Sequence, residues 1–303
     1  MKINKPVVPY YKTAGGVLYK GSSEHLLKKL KKKYAGKVKL IFTSPPFPLN
    51  RKKKYGNLTG DEYLKWIAKF SKLFSGFLTQ DGSIVIEIGN AWNSGIPTTS
   101  TLPMETLLHF KNCGKYHLCQ EFIYYNPARL PSPVQWVNIE RIRVKDAFTR
   151  FWWLSKTPFP DANNSRILIP YGKKMLQLLN SKKYNAGKRP SEHTIGEKSF
   201  CKNNNGAIPP NVIIASNTTP YDNYITYCRN NNFEIHPARM PDKVVELFIK
   251  FLTKKNDIVL DPFAGSNVTG ATSERLGRKW LSIEVNENYI KGSIGRFTKR
   301  ILK

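Results

Sequence analysis

The chain has 303 residues, 40% of them hydrophobic, with 49 Lys and Arg against 21 Asp and Glu, a formal charge of +28. That length suits one large α/β domain, or a core with an insertion, and the apolar fraction suffices for a sizeable core. The charge selects polyanionic partners, because basic surfaces gain affinity by releasing counterions, with codon bias toward Lys and Asn as the competing origin. An anionic membrane is disfavoured as a partner, since neither an amphipathic anchor nor a run of membrane-spanning length occurs. The N-terminal residues Met1 to Pro6 carry no apolar secretory core. The four cysteines, at 113, 119, 201 and 228, form no CxxC pair and no zinc-like spacing. Free thiols in a reducing cytoplasm, and no metal site, are the expectation.

In chain order, Ser22-Ser23-Glu24 predicts a helix start that continues through Leu26, Leu27 and Leu30. The apolar run 38–43 predicts a strand that ends in Ser44-Pro45-Pro46-Phe47. From Asp61, residues Leu64, Ile67, Phe70, Phe74 and Phe77 keep helical spacing up to an Asp81-Gly82 turn. A strand at 83–88, a helix near 103–113 and strands near 119–125 and 149–156 follow. This βαβ alternation predicts a mostly parallel sheet with helices on both faces. Between 157 and 235 the periodicity fades under Asn, Lys, Pro and Ser, as in an inserted module or a set of surface loops. Patterning returns with a helix from Pro241, a strand at 257–262, a glycine turn, a helix to about Gly277, a strand at 280–284 and a final helix.

Two motifs carry chemistry. The amino group of a nucleobase is a poor nucleophile, because its lone pair is delocalised into the ring. Acceptors for its hydrogens restore that lone pair, and Ser44 offers a hydroxyl while Pro45 and Pro46 leave carbonyls without competing N–H donors. Phe47 can stack on an extruded base. An ordinary turn after a strand is the plain alternative for this segment. The second motif, Asp261-Pro262-Phe263-Ala264-Gly265-Ser266-Asn267, reads as a strand running into a glycine turn that opens a helix. Glu284 ends the next strand, where an acid takes ribose hydroxyls in nucleotide-binding sheets.

With both motifs in hand, the chain resembles the β-class amino-methyltransferases of DNA, and most of all the PvuII-type N4-cytosine methyltransferases of restriction–modification systems. The likeness extends to the segments 51–57, 130–133, 143–146, 208–211 and 236–239. It implies a Rossmann-like α/β sheet with permuted motif order: a catalytic half at 1–156, a target-recognition region at 157–235 and a cofactor half at 236–303. Ser44, Pro45, Pro46 and Phe47 would be catalytic. S-adenosylmethionine would be held by Asp261, Phe263, Gly265, Ser266, Asn267 and Glu284, with its sulfonium toward Ser44. Serine at the first motif position implies cytosine N4; Asp or Asn there would imply adenine N6, which stays open. A non-catalytic nucleic-acid-binding protein with a relic fold is the reading from another class.

The resemblance also implies duplex DNA as partner, a short GC-containing palindrome such as CAGCTG, and a separate restriction endonuclease that need not touch this chain. Asn267 stands where many relatives have a second glycine, and Asn tolerates positive φ better than other non-glycine residues. Gly21-Ser22 stands where some relatives have Gly-Asp, which leaves a cofactor contact there in doubt. No cysteine follows a proline, which disfavours C5-cytosine chemistry. Arg51, Lys52 and Lys53 suit phosphates flanking an extruded base, or simply a solvated loop. Arg189, His193 and Lys198 are candidates for base reading, or belong to a flexible basic loop. Lys28 to Lys33 reads as a polar helix face, Trp152 and Trp153 as sheet core, and His236 as structural, with a border on the cofactor pocket implied by the family.

Overall fold

A computed structural model of the protein describes residues 6–47, 58, 60–182, 186–197, 199–217, 222–297 and 301–302. The chain forms two compact units, Met1–Ala162 with Asn211–Lys303, and Asn163–Pro210. The larger unit begins with β1 (Tyr11–Thr13), β2 (Gly16–Lys20), α1 (Ser23–Tyr34), β3 (Val38–Thr43), α2 (Gly60–Phe77) and β4 (Leu78–Ile88). It continues with α3 (Leu102–Gly114), β5 (His117–Tyr125) and β6 (Phe148–Ser155). The smaller unit holds α4 (Lys173–Ser181), β7 (Gly187–Lys188) and β8 (Thr194–Ile195). The chain returns to the larger unit as β9 (Val212–Ile214), α5 (Asn223–Asn230), α6 (Asp242–Leu252) and β10 (Ile258–Asp261). It ends with α7 (Val268–Arg275), β11 (Lys279–Glu284), α8 (Glu287–Ser293) and β12 (Ile301–Leu302).

One ten-stranded sheet, in the order β12-β1-β2-β11-β10-β3-β4-β6-β5-β9, organises the larger unit. Its centre, β2, β11, β10, β3 and β4, is parallel. A parallel strand is covered on both faces, and every residue of β3 is buried accordingly. On one face, Leu26, Leu27 and Leu30 of α1 and Ile67, Phe70 and Phe74 of α2 pack against Val38, Ile41, Ile84 and Ile86. On the other, Val244, Val245, Phe248, Ile249 and Leu252 of α6 cover Leu40, Phe42, Val85, Phe151 and Trp153. Trp152 and Trp153 thus fall in the two opposite cores, as strand alternation requires. The four cysteines are free, and no described helix is long and apolar enough to cross a membrane.

The topology fixes where a ligand can bind. From β10 the chain passes through α7 to β11 on one side; from β3 it passes through α2 to β4 on the other. The two strands are parallel neighbours, with Leu260 opposite Ile41. Such a switch point leaves a crevice beyond the carboxyl ends of the strands, where helices diverge. Both sequence motifs begin there.

Some elements differ from the sequence expectation. Asp81-Gly82 does not separate a helix from a strand but lies inside β4, where the pairing jumps from Val38↔Leu78 to Leu40↔Ser83. The loop-out has a physical reason: Lys39, at the matching irregularity, is buried, and its Nζ meets Asp81 Oδ2 at 2.6 Å and Asp161 Oδ2 at 3.1 Å. β6 runs antiparallel to both neighbours, because the stretch between β5 and β6 holds only a single π turn at Gln135–Ile139 and no crossover helix. β1, β2 and β12 were absent from the periodicity; strands of two to five residues are too short to display it. Within 157–235, β9 pairs with β5 in the large sheet, while only Asn163–Pro210 packs as a unit of its own.

Phe248 lies where three elements converge, fully buried, with ring centroids 5.6, 4.9 and 5.3 Å from Phe42, Phe122 and Phe151. Phe248→Ala is expected to cost about 3–5 kcal/mol, and Phe248→Leu about 1 kcal/mol, in urea denaturation midpoints at unchanged slope.

Candidate active site

The crevice holds a cavity of about 920 Å3 built from the larger unit, and both motifs line it. Ser44, Pro45, Pro46 and Phe47 come from the end of β3; Asp261, Phe263, Gly265 and Ser266 come from the end of β10; Glu284 comes from the end of β11. The Phe47 ring lies against the backbone of Gly89, where an added Cβ would stand 2.6 Å from its Cδ2. Any larger residue at 89 would displace that ring.

Asp261 joins the two strand ends. Its Oδ1 accepts from Thr43 Oγ1 at 2.9 Å and from the Phe263 amide at 3.1 Å, and its Oδ2 accepts from Thr269 Oγ1 at 2.6 Å. Burial pushes its carboxyl up to about 6 in spite of these donors. Glu284 is likewise raised by burial. Its Oε2 accepts from the Gly265 amide at 2.7 Å, and its Oε1 from the amides of Val285 and Asn286 at 3.0 and 2.8 Å. The acid therefore shapes the turn as well as facing the cavity.

Gly265 has φ +50, and a Cβ there would meet His236 Nε2 at 2.9 Å. Glycine is required on both counts. His236 covers the turn, its ring edge-on to Tyr289 at 4.5 Å and its amide donating to Tyr224 Oη at 2.9 Å. Asn267 adopts φ +54 but turns away from the cavity. Fully buried, it caps α7 through Gly270 N, accepts from Ser282 Oγ at 2.7 Å and donates to Tyr11 Oη at 2.8 Å. Ser22 and Ser23 line the cavity, and the Ser23 hydroxyl donates to the Pro262 carbonyl.

Sequence reading missed Glu87. It lies on β4, buried, on the Ser44 side of the same cavity. Burial raises its carboxyl, opposed by hydrogen bonds from the Ser44 hydroxyl and from Thr149 Oγ1 at 2.9 Å, and by the Arg129 charge. The signal was available: a lone acid inside the apolar strand Ile84-Val85-Ile86-Glu87-Ile88 must be buried. Arg296 was missed as well. Its side chain is 6% exposed, and it donates from Nε to the Ser266 carbonyl at 2.8 Å and from Nη2 to Ser266 Oγ at 3.2 Å.

The donor set fits the cofactor that the family resemblance implied. Phe263 packs on Trp66 and Phe70 at 5.6 and 5.1 Å, which makes an aromatic wall for a purine. The Tyr63 hydroxyl, in the cavity lining, is buried with no partner among the described residues, and a polar ligand atom would satisfy it. The Tyr124 hydroxyl is in the same condition beside Glu87, where burial and the Glu87 charge push it up to about 12. Among the described residues no group of three or more His, Cys, Asp or Glu is placed to hold a metal ion.

Arg51, Lys52, Lys53 and Lys198 fall outside the described residues. Arg189 and His193 sit on the β7–β8 hairpin of the smaller unit, tied by a bond from the Arg189 amide to the His193 carbonyl at 2.8 Å.

Known proteins repeat this arrangement. A family described as DNA methylase matches residues 38–295. Type II methyltransferase M.PvuII of Proteus hauseri is 41% identical over 291 residues, 95% of this chain and 85% of that protein. Type II methyltransferase M.ScaI of Streptomyces caespitosus is 25% identical over 295 residues, 95% of this chain and 83% of the relative. The solved PvuII DNA methyltransferase, described as cytosine-N4-specific, superposes with a TM-score of 0.76 at 36% identity, over 95% of this chain and 88% of that one. A complex of M1.HpyAVI with S-adenosylmethionine, at 19% identity and a TM-score of 0.54, shares the fold over 92% of this chain. A switch-point cavity lined by both motifs, together with a match from β3 to the 3-10 turn after α8, means that the chain belongs to the DNA methylase family.

Proposed function

We propose that this protein transfers a methyl group from S-adenosylmethionine to N4 of a cytosine drawn out of duplex DNA, within a short recognition sequence. The observation that carries this reading is the Ser44 hydroxyl bonded to the buried Glu87 carboxylate, in one cavity with the Asp261–Glu284 turn. Bound S-adenosylmethionine supplies an electrophilic methyl group. Phe263, Glu284 and the Gly265–Ser266 turn would hold its nucleoside and amino-acid ends.

Ser44 and the Pro45 carbonyl accept the hydrogens of the cytosine amine, so that its lone pair leaves conjugation and faces the methyl donor. The amine becomes positively charged on methylation and must lose a proton. Ser44 accepts that proton while its own passes to Glu87, whose raised proton affinity suits it to the task. Phe47 and Tyr124 flank the base, and closure of the cavity around it excludes water. The Asn163–Pro210 unit, with Arg189 and His193 on its hairpin, is the candidate reader of sequence, and Arg51 to Lys53 the candidate phosphate clamp. M.PvuII similarity supports a cytoplasmic restriction–modification role with a separate endonuclease, and CAGCTG is the first sequence to try.

Duplex DNA incubated with the protein and S-adenosylmethionine should yield N4-methylcytosine on mass spectrometry of nucleoside digests, with chelators without effect. N6-methyladenine as sole product would overturn the base assignment, and no methylated base would favour a binding protein. Ser44→Ala and Glu87→Gln should each slow single-turnover transfer by about 100-fold or more while cofactor affinity stays within about twofold. The acid limb of the wild-type rate profile should lie above the ordinary carboxylate range, because protonation of Glu87 removes the base, and it should vanish in Glu87→Gln.

Asp261 supplies a separate check on the cofactor side. Its folded value near 6 exceeds the ordinary 3.8, so its contribution to stability is full below about 4 and is lost as pH rises through 6. Without cofactor, Asp261→Asn should gain on wild type by up to about 3 kcal/mol between about pH 4 and about pH 8 in urea denaturation. Equal pH dependence in both proteins would contradict a buried, raised Asp261.

A further inference from the structure

The stretch from Asn126 to Asp146, which joins β5 to β6, leaves an unusual surface. Leu130, Val134, Ile139, Ile142 and Val144 are 80, 58, 63, 61 and 86% exposed. Single exposed apolar residues need no explanation, but five within fifteen positions are a concentration that water does not favour. Arg141 and Lys145 are exposed among them. Five residues of the stretch, Asn126, Ala128, Arg129, Leu130 and Ser132, line the active-site cavity.

The backbone on either side of Leu130 is braced. Asn126 Oδ1 accepts from the Ala128 amide at 3.0 Å, and its carbonyl accepts from the Arg129 amide at 3.1 Å. The Arg129 guanidinium donates to the Phe148 carbonyl at 3.1 Å and places its charge near Glu87. The Arg129 carbonyl accepts from Lys145 Nζ at 3.2 Å, and the Ser132 carbonyl accepts from the Asp146 amide at 3.0 Å. Asn126, buried, is anchored in turn to Asn217 at 3.1 Å. Arg129 is thus tied on the side of Glu87, and its neighbour Leu130, between two anchored residues, is both 80% exposed and in the cavity lining.

A rigid apolar tip with cations beside it, at the mouth of a pocket for an extruded base, has the chemistry of a wedge between base pairs. Extrusion leaves a gap in the stack, and an apolar side chain in that gap offsets part of the lost stacking. The protein's charge of +28 gives the complementary attraction to the surrounding phosphates. We infer that Leu130 is a positioning residue that enters the duplex when the target base leaves it, with Val134 to Val144 covering the neighbouring groove. This rests on the reading of the chain as a methyltransferase of duplex DNA.

The test uses duplexes carrying the site mapped from the methylated product, one fully paired and one with an abasic position opposite the target base. A third duplex carries 2-aminopurine at the target position and reports unstacking by its emission. With Leu130→Ala, the emission gain on binding should fall by about threefold or more, and turnover on the paired duplex by about tenfold. On the abasic duplex turnover should stay within about twofold of wild type, because no pair has to be opened. Leu130→Met should restore both signals, and cofactor affinity should be unchanged throughout. Equal emission and turnover in Leu130→Ala and wild type would overturn the wedge, as would an equal loss on paired and abasic duplexes. If wild type methylates neither duplex, the methyltransferase reading itself fails, and the wedge with it.

Discussion

Everything at the active site depends on β3 and β10 lying side by side. Segments more than two hundred residues apart in sequence reach one crevice only because their strands pair in parallel at the sheet's switch point. The Asp261 carboxylate secures that pairing where the backbone ladder ends, with Thr43 from one strand and Thr269 from the helix beyond the other as donors. A buried carboxylate is costly unless donors surround it. Here the donors come from the elements that must stay in register, so the acid's need for partners aligns the catalytic loop with the cofactor turn.

The central elements were legible because their patterns are long or carry special chemistry. β3, β4, β10 and β11 are apolar runs bounded by turn residues, and α2 and α6 keep helical spacing over three turns or more. The glycine turn could be placed from the Asp261–Asn267 run together with Glu284 and the companion motif Ser44–Phe47. What stayed hidden had a physical cause in each case. β1 and β12 are too short to alternate. Asp81-Gly82 carries the residues of a turn, yet it serves a loop-out that brings a carboxylate to buried Lys39. Asn267 was read as a ligand contact from its place in the motif, but its side chain is consumed by capping α7 and by bonds to Tyr11 and Ser282. Glu87 and Arg296 lie outside both motifs, and only folding brings them to Ser44 and Ser266.

The cavity is acidic in a basic protein. Asp261, Glu284 and Glu87 all line it, and burial raises all three. Perturbed groups gathered in one cleft are a mark of functional sites. A cavity of this kind suits a cationic cofactor and a neutral base, while the basic exterior holds the phosphates at a distance. The electrostatic division matches the proposed division of labour, in which surface cations would attract the polymer and interior carboxylates would handle the proton and the hydroxyl groups of the ligands.

The order of strands has a consequence for synthesis of the chain. β10 and β11 fill the place between β2 and β3, yet they are translated after all five strands on the β3 side, β3, β4, β6, β5 and β9. Until residue 261 has left the ribosome the inner edge of β3 has no strand to meet, and until residue 284 has done so neither has that of β2, so the apolar faces of α1 and α2 cover an interrupted sheet. Unpaired edges of this kind invite contact with other nascent chains. The same insertion means that the catalytic loop acquires its cofactor turn in a single late step, so a chain that stalls early is an incomplete sheet without methyl-transfer machinery.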